Sequence, residues 1–158
     1  MIIVFLTILV AGPLIVLIHE LGHAIAVLVC SKSFARIFIG DISSSIKENF
    51  KIGRLSFHFQ WAYFGLCAWD KELKKWQKIV ALAGGPIASL LVTCLFAWLM
   101  GRTPEGDLHN MLHVIMIGNL GMFLLSAFPM FYPKGSGGIT GMPSDGLKIW
   151  KLVKGEVH

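Results

Sequence analysis

A mainly α-helical membrane protein, with about three transmembrane helices and a small membrane-associated antiparallel β-sheet between the first and the second, is predicted by three observations. Of 158 residues, 55% are hydrophobic and 15% charged, against roughly 25% charged in soluble domains, and the mean hydropathy is +0.70. The apolar residues gather in three blocks, each near the roughly 20 residues that cross about 30 Å of hydrocarbon. Between the first two blocks the pattern changes to aromatic and β-branched residues with partial alternation. These features exclude a soluble globular domain and a disordered chain, and without internal self-similarity they exclude a solenoid. A single domain over residues 1–158 is expected.

The first block, residues 1–30, is apolar except at His19, Glu20 and His23. It lacks the basic start of a secretory signal and continues past any plausible cleavage point, so it reads as a retained span. Residues 34–69 form the β-rich loop, with alternation clearest in Arg54-Leu55-Ser56-Phe57-His58-Phe59. The second span is expected over 79–100, with Asp70 as a helix N-cap and Glu72 in the first turn. The third is expected over 108–132, bounded by Pro129 and Pro133. After it, residues 133–158 comprise a glycine-rich flexible loop and a short terminal helix.

Charge sets the expected orientation. Nine of the 14 Lys and Arg fall between Ser31 and Lys78, one (Arg102) between the second and third spans, and four after Tyr132. By the positive-inside rule the first loop and the C-terminus are cytoplasmic and the N-terminus is outside, in a cell membrane of bacterial type. The net charge of +5 is thereby a matter of orientation, and no nucleic-acid partner is expected. Cys30, Cys67 and Cys94 show neither disulfide nor Cys-x-x-Cys spacing, so any metal is held by nitrogen and oxygen.

An ionisable carboxylate within a span costs about 2.5–3.5 kcal/mol on insertion scales, so Glu20 needs a reason to be there. His19-Glu20-Leu21-Gly22-His23 supplies one. Histidines at i and i+4 share a helix face one turn apart, where both can bind one Zn2+, and the intervening Glu20 is then the general base. The alternative is a set of polar residues hydrogen-bonded across a helix bundle. A catalytic zinc has three protein ligands and an open position. Of the four aspartates, Asp107 falls on the outer side, Asp70 fits a helix cap, and Asp41 sits at a strand end facing the cytosol. Asp145 is the best third ligand: it follows a glycine-rich loop that can fold back into the bundle, and Gly146 leaves room beside the metal. Its alternative role is a solvated turn or a helix N-terminal charge. His109 and His113 are also spaced i, i+4 but lack an adjacent Glu, and they read as interfacial histidines at the outer end of the third span.

The chain resembles the site-2 protease family of intramembrane zinc metalloproteases. His19, Glu20 and His23 match the first motif of that family, Ala83-Gly84-Gly85-Pro86 is similar to its Ala-Gly-Pro motif, and Asp145-Gly146 is similar to its Asp-Gly metal motif. The resemblance implies a minimal three-span core with one zinc per chain, and hydrolysis of peptide bonds in membrane-spanning or membrane-anchored protein substrates near the cytoplasmic side. The Asn that the family carries shortly before a proline in the last span is Ser126 here, which leaves Asn119 as the candidate for oxyanion or substrate contact. An edge strand in the β-rich loop could hold an unwound substrate by strand addition. The lipid bilayer is a second expected partner, and a regulatory protein partner is left open. The competing reading is a non-proteolytic zinc-binding membrane protein, or an inactive homologue that binds a membrane partner; the intact Glu20 argues against it, because a structural zinc needs no base.

Overall fold

The computed structural model describes residues 2–40 and 47–156. Met1, Asp41 and the last two residues lie outside them. Three helices, α1 (Ile2–Cys30), α2 (Lys75–Met100) and α3 (Asp107–Ala127), are long and apolar enough to cross a membrane. Four strands, β1 (Ala35–Ile39), β2 (Phe50–Ile52), β3 (Leu55–Phe59) and β4 (Gly65–Trp69), lie between α1 and α2, and a fourth helix, α4 (Asp145–Lys154), ends the described chain.

The second and third spans differ from expectation at one end each. α2 begins at Lys75, four residues before the apolar run, because the Gln77 side chain accepts the Lys74 N–H at 2.9 Å and closes the first turn. Hydropathy marks what suits lipid, not where the helix starts. Asp70 therefore does not cap α2. It accepts the Ser33 hydroxyl at 2.6 Å and the Phe34 N–H at 2.8 Å, tying the end of β4 to the start of β1, and those two bonds hold its carboxyl below the usual range. Glu72 also precedes the helix and reaches Lys78 at 3.7 Å. α3 stops at Ala127 although the apolar run continues to Tyr132, because Phe128 precedes Pro129 and is extended (φ −70°, ψ 129°), as residues before proline prefer.

The sheet is mixed, with strand order β2-β3-β1-β4. β1 pairs antiparallel with β4 but parallel with β3, and β2 with β3 form a hairpin. The expected wholly antiparallel arrangement fails because the chain between β1 and β3 is long enough to return β3 alongside β1 in the same direction. On the central strand Ala35, Ile37 and Ile39 are buried while Arg36 is exposed, so one face packs with Val16, Ala24 and Val27 of α1. β4 is left as an edge strand.

Two glycines set the approach of α1 to α2. A Cβ on Gly22 would run into the backbone carbonyl of Gly84, and one on Gly84 into that of Gly22; only hydrogen at both positions lets the backbones touch. This contact brings the α1 face carrying His19 and His23 against the small buried stripe Ala81, Gly85 and Ser89 of α2. Pro13 within α1 has no N–H for the Leu9 carbonyl, and the Tyr63 hydroxyl donates to that carbonyl at 3.3 Å.

The segment between α3 and α4 is a hairpin and not an open loop. Tyr132 N–H donates to Met142 O and Gly141 N–H to Tyr132 O, both at 2.9 Å, and Ser144 N–H to Met130 O at 2.9 Å. Ser144 caps α4 by accepting the Leu147 N–H at 3.2 Å while its hydroxyl donates to Phe128 O at 2.6 Å. α4 is thus stitched to the end of α3. Gly146 makes this close fit possible, since a Cβ there would strike the Ala127 carbonyl. The space it leaves is for the backbone of α3, not for a metal as expected.

Candidate metal centre

Two elements supply the three predicted ligands. His19 and His23 project from α1 one turn apart, and Asp145 is the first residue of α4, held by the Ser144 cap; relative exposures are 4%, 5% and 7%. The structure brings all three together. Asp145 Oδ2 lies 3.3 Å from His19 Nε2 and 3.2 Å from His23 Nε2, and the two Nε2 atoms are 3.2 Å apart.

The opposite ring nitrogens have partners on α2. His23 Nδ1 is 2.8 Å from Ala81 O, an acceptor only, so Nδ1 carries the proton. His19 Nδ1 is 3.0 Å from Ser89 Oγ, a hydroxyl that accepts from Nδ1–H when the ring takes the same tautomer. With the proton on Nδ1 of both rings, each imidazole turns an unprotonated Nε2 toward the carboxylate, and three acceptors face one another. Such a triangle is repulsive unless positive charge sits among them. Tetrahedral ligands at about 2.0–2.1 Å from an ion lie about 3.3–3.4 Å from one another, so the triangle has the size and donor chemistry to hold a metal ion. Among the described residues it is the one group of three such side chains.

Asp145 divides its oxygens. Oδ2 faces the histidines, and Oδ1 accepts from Lys148 Nζ at 3.2 Å. Burial alone would raise this carboxyl, but hydrogen bonds and charge from the His19 and His23 imidazoles when their Nε2 atoms carry protons, together with the Lys148 ammonium, hold it below the ordinary range. Asp145 thus faces the histidines through one oxygen and stands as a charge in the first turn of α4.

Glu20 lines the same cavity, of about 100 Å³, together with the three ligands, Tyr132 and Lys148. It is 7% exposed. One wall of this cavity is β4, from Gly65 to Cys67. Burial, followed by the charges of Glu20 and Asp145, pushes the Cys67 thiol above the ordinary thiol range, so it keeps its proton at neutral pH. No protein-family model, curated protein or solved structure matches the chain.

Asn119 is not brought to this cavity. It is fully buried in α3, its Nδ2 donates to Ile115 O at 2.9 Å, and its Oδ1 has no partner among the described residues. Ser126 is likewise buried, bonded to Phe123 O at 3.2 Å. At the other end of α3, His109 Nδ1 meets Thr103 O at 3.1 Å and His113 is exposed, with no third ligand beside them among the described residues. Sequence reasoning missed Ser89, Tyr132 and Lys148. Ser89 carried a signal: with Ala81 and Gly85 it makes an i, i+4 stripe of small residues on the second span. Lys148 stands three residues after Asp145, the spacing of a helical ion pair.

Proposed function

We propose that this protein is an intramembrane zinc metalloprotease, similar to the site-2 protease family, that hydrolyses peptide bonds in membrane-spanning or membrane-anchored proteins. The observation that carries the reading is the buried triangle of His19, His23 and Asp145 with a second carboxylate, Glu20, in the same cavity. Two imidazoles and one carboxylate leave a fourth position open, as catalytic zinc sites do and structural ones do not. Zinc held there supplies Lewis acidity, activating water near neutral pH and polarising the scissile carbonyl.

The remaining steps belong to the chain. Glu20 takes the proton of the water as its oxygen bonds to the carbonyl carbon, and returns a proton to the amine nitrogen as the C–N bond breaks. Ser89 and the Ala81 carbonyl hold the imidazole tautomers that leave both Nε2 atoms free, an orienting role that partners of metal ligands commonly have. Lys148 leaves one Asp145 oxygen for the metal. β4, hydrogen-bonded on one side only, offers its free edge to an extended substrate. An apolar groove between α1 and α3, lined by Ile8, Ile15 and Ile117, shares Val16, Tyr63 and Met122 with the metal cavity and suits the approach of a membrane segment. The Lys and Arg bias orients the cavity toward the cytosol.

Removal and return of the metal test this reading. Detergent-purified protein incubated with fluorescein-labelled casein and with a set of synthetic transmembrane peptides should release fragments. Treatment with 1,10-phenanthroline should lower the rate by more than about tenfold, and one equivalent of zinc should restore it. Fragment release indifferent to the chelator, or none from zinc-loaded protein on any of these probes, contradicts the proposal.

A further inference from the structure

Resting on the protease reading, we infer that the hydroxyl of Tyr132 is the catalytic hydrogen-bond donor to the oxyanion that forms as water adds to the scissile carbonyl. An acyl-transfer site gains most from a donor fixed in advance where negative charge develops. Besides the two imidazoles, the N–H and O–H side chains lining the cavity are Tyr63, Trp69, Tyr132 and Lys148, and the Trp69 indole is a neutral N–H at the end of β4, beyond the Gly65–Cys67 wall. Asn119 is outside the cavity, with its amide nitrogen bonded to Ile115 O. Lys148 is engaged with Asp145 at 3.2 Å. The Tyr63 hydroxyl is turned to Leu9 O at 3.3 Å, more than two helical turns from His19 along α1.

Tyr132 differs in each respect. It lines the cavity beside the triangle and Glu20, and its hydroxyl has no hydrogen-bond partner among the described residues. Its backbone is clamped on both sides, N–H to Met142 O and O from Gly141 N–H, each at 2.9 Å. The same hairpin ends at Ser144, which caps the helix bearing Asp145, so the backbones of Tyr132 and Asp145 are joined through one hydrogen-bonded hairpin. Burial first, and then the charges of Asp145 and Glu20, push the phenol up to about 12, so it keeps its proton throughout the neutral range. The phenol donates without being consumed: the water proton goes to Glu20 and then to the leaving amine, and the hydrogen bond to Tyr132 strengthens and relaxes with the oxyanion.

Tyr132→Phe in the full chain removes one oxygen and keeps the ring. With fluorescein-labelled casein as probe, kcat should fall about 10²-fold, with KM within about twofold and zinc content unchanged. Affinity for a phosphinic-peptide inhibitor, which carries a tetrahedral anionic centre, should fall with kcat/KM. Asn119→Ala should keep kcat within about threefold of wild type. A Tyr132→Phe variant with wild-type kcat, or one whose loss tracks lost zinc, overturns the inference and leaves the protease reading standing. A kcat loss confined to Asn119→Ala assigns the donor to Asn119 instead. Zinc-loaded wild type that cleaves nothing overturns both readings.

Discussion

Replacing Gly85 by alanine should empty the metal centre without opening the helix pair. The added methyl carbon would overlap His23 Nε2 and lie 2.7 Å from His19 Nε2, inside the triangle. Neither imidazole can retreat freely, because their Nδ1 atoms are anchored to Ala81 O and Ser89 Oγ on the same helix that carries the methyl. Changes to partners of metal ligands cost roughly 10- to 100-fold in affinity, and a methyl in the ligand space itself should exceed that. Bound zinc should be undetectable after dialysis, while the helical circular dichroism matches wild type. Gly101→Ala is the control, since a Cβ there meets nothing closer than 3.7 Å. Retention of full zinc by Gly85→Ala would mean that the triangle is not where the metal sits.

Glu20→Gln should separate metal binding from chemistry. Glutamine has nearly the same shape, binds no proton on the relevant path, and removes one buried negative charge. The expected result is wild-type zinc content with casein hydrolysis reduced by about 10²–10⁴-fold, the range of general-base catalysis. Stability should move the other way. Glu20 is buried and its carboxylate has no hydrogen-bond partner among the described residues, an arrangement that destabilises a fold, so the melting temperature of Glu20→Gln should equal or exceed that of wild type, as happens where function is bought with stability. A variant that unfolds or sheds zinc would give Glu20 a structural part and would remove it from the proton pathway.

What the sequence made legible follows from which physical signals are local. The histidine pair needed only the 3.6-residue period of a helix, and the three spans only length and hydropathy. Asp145 emerged by eliminating three other aspartates, helped by the glycines before it. Partner choice in the sheet was not legible: alternation around Arg54–Phe59 assigns faces to a strand but does not say which neighbour it joins or in which direction, and the parallel β1–β3 pair depends on a connection through residues with no pattern. The ends of spans two and three slipped for a related reason. Lys75 and Lys78 are helical because of a cap, and Phe128–Tyr132 are non-helical because of Pro129, while hydropathy sees neither. That second slip also concealed Tyr132, which the sequence places at the end of the third span and which instead lines the cavity of His19, His23 and Asp145. Gly146 was read in the right neighbourhood for the wrong contact, since its proximity to the Ala127 carbonyl exists only once α4 folds back on α3.

The measurement that bears most directly on the metal centre is zinc content by mass spectrometry of detergent-purified wild type, His23→Ala, Asp145→Ala and the double variant His109→Ala/His113→Ala. About one zinc per chain should be found in wild type and in the double variant, and less than about one tenth in His23→Ala and Asp145→Ala, because each removes one of three ligands. Zinc absent from folded wild type after resupply, or lost only when His109 and His113 are replaced, would contradict the assignment of His19, His23 and Asp145 as the metal ligands.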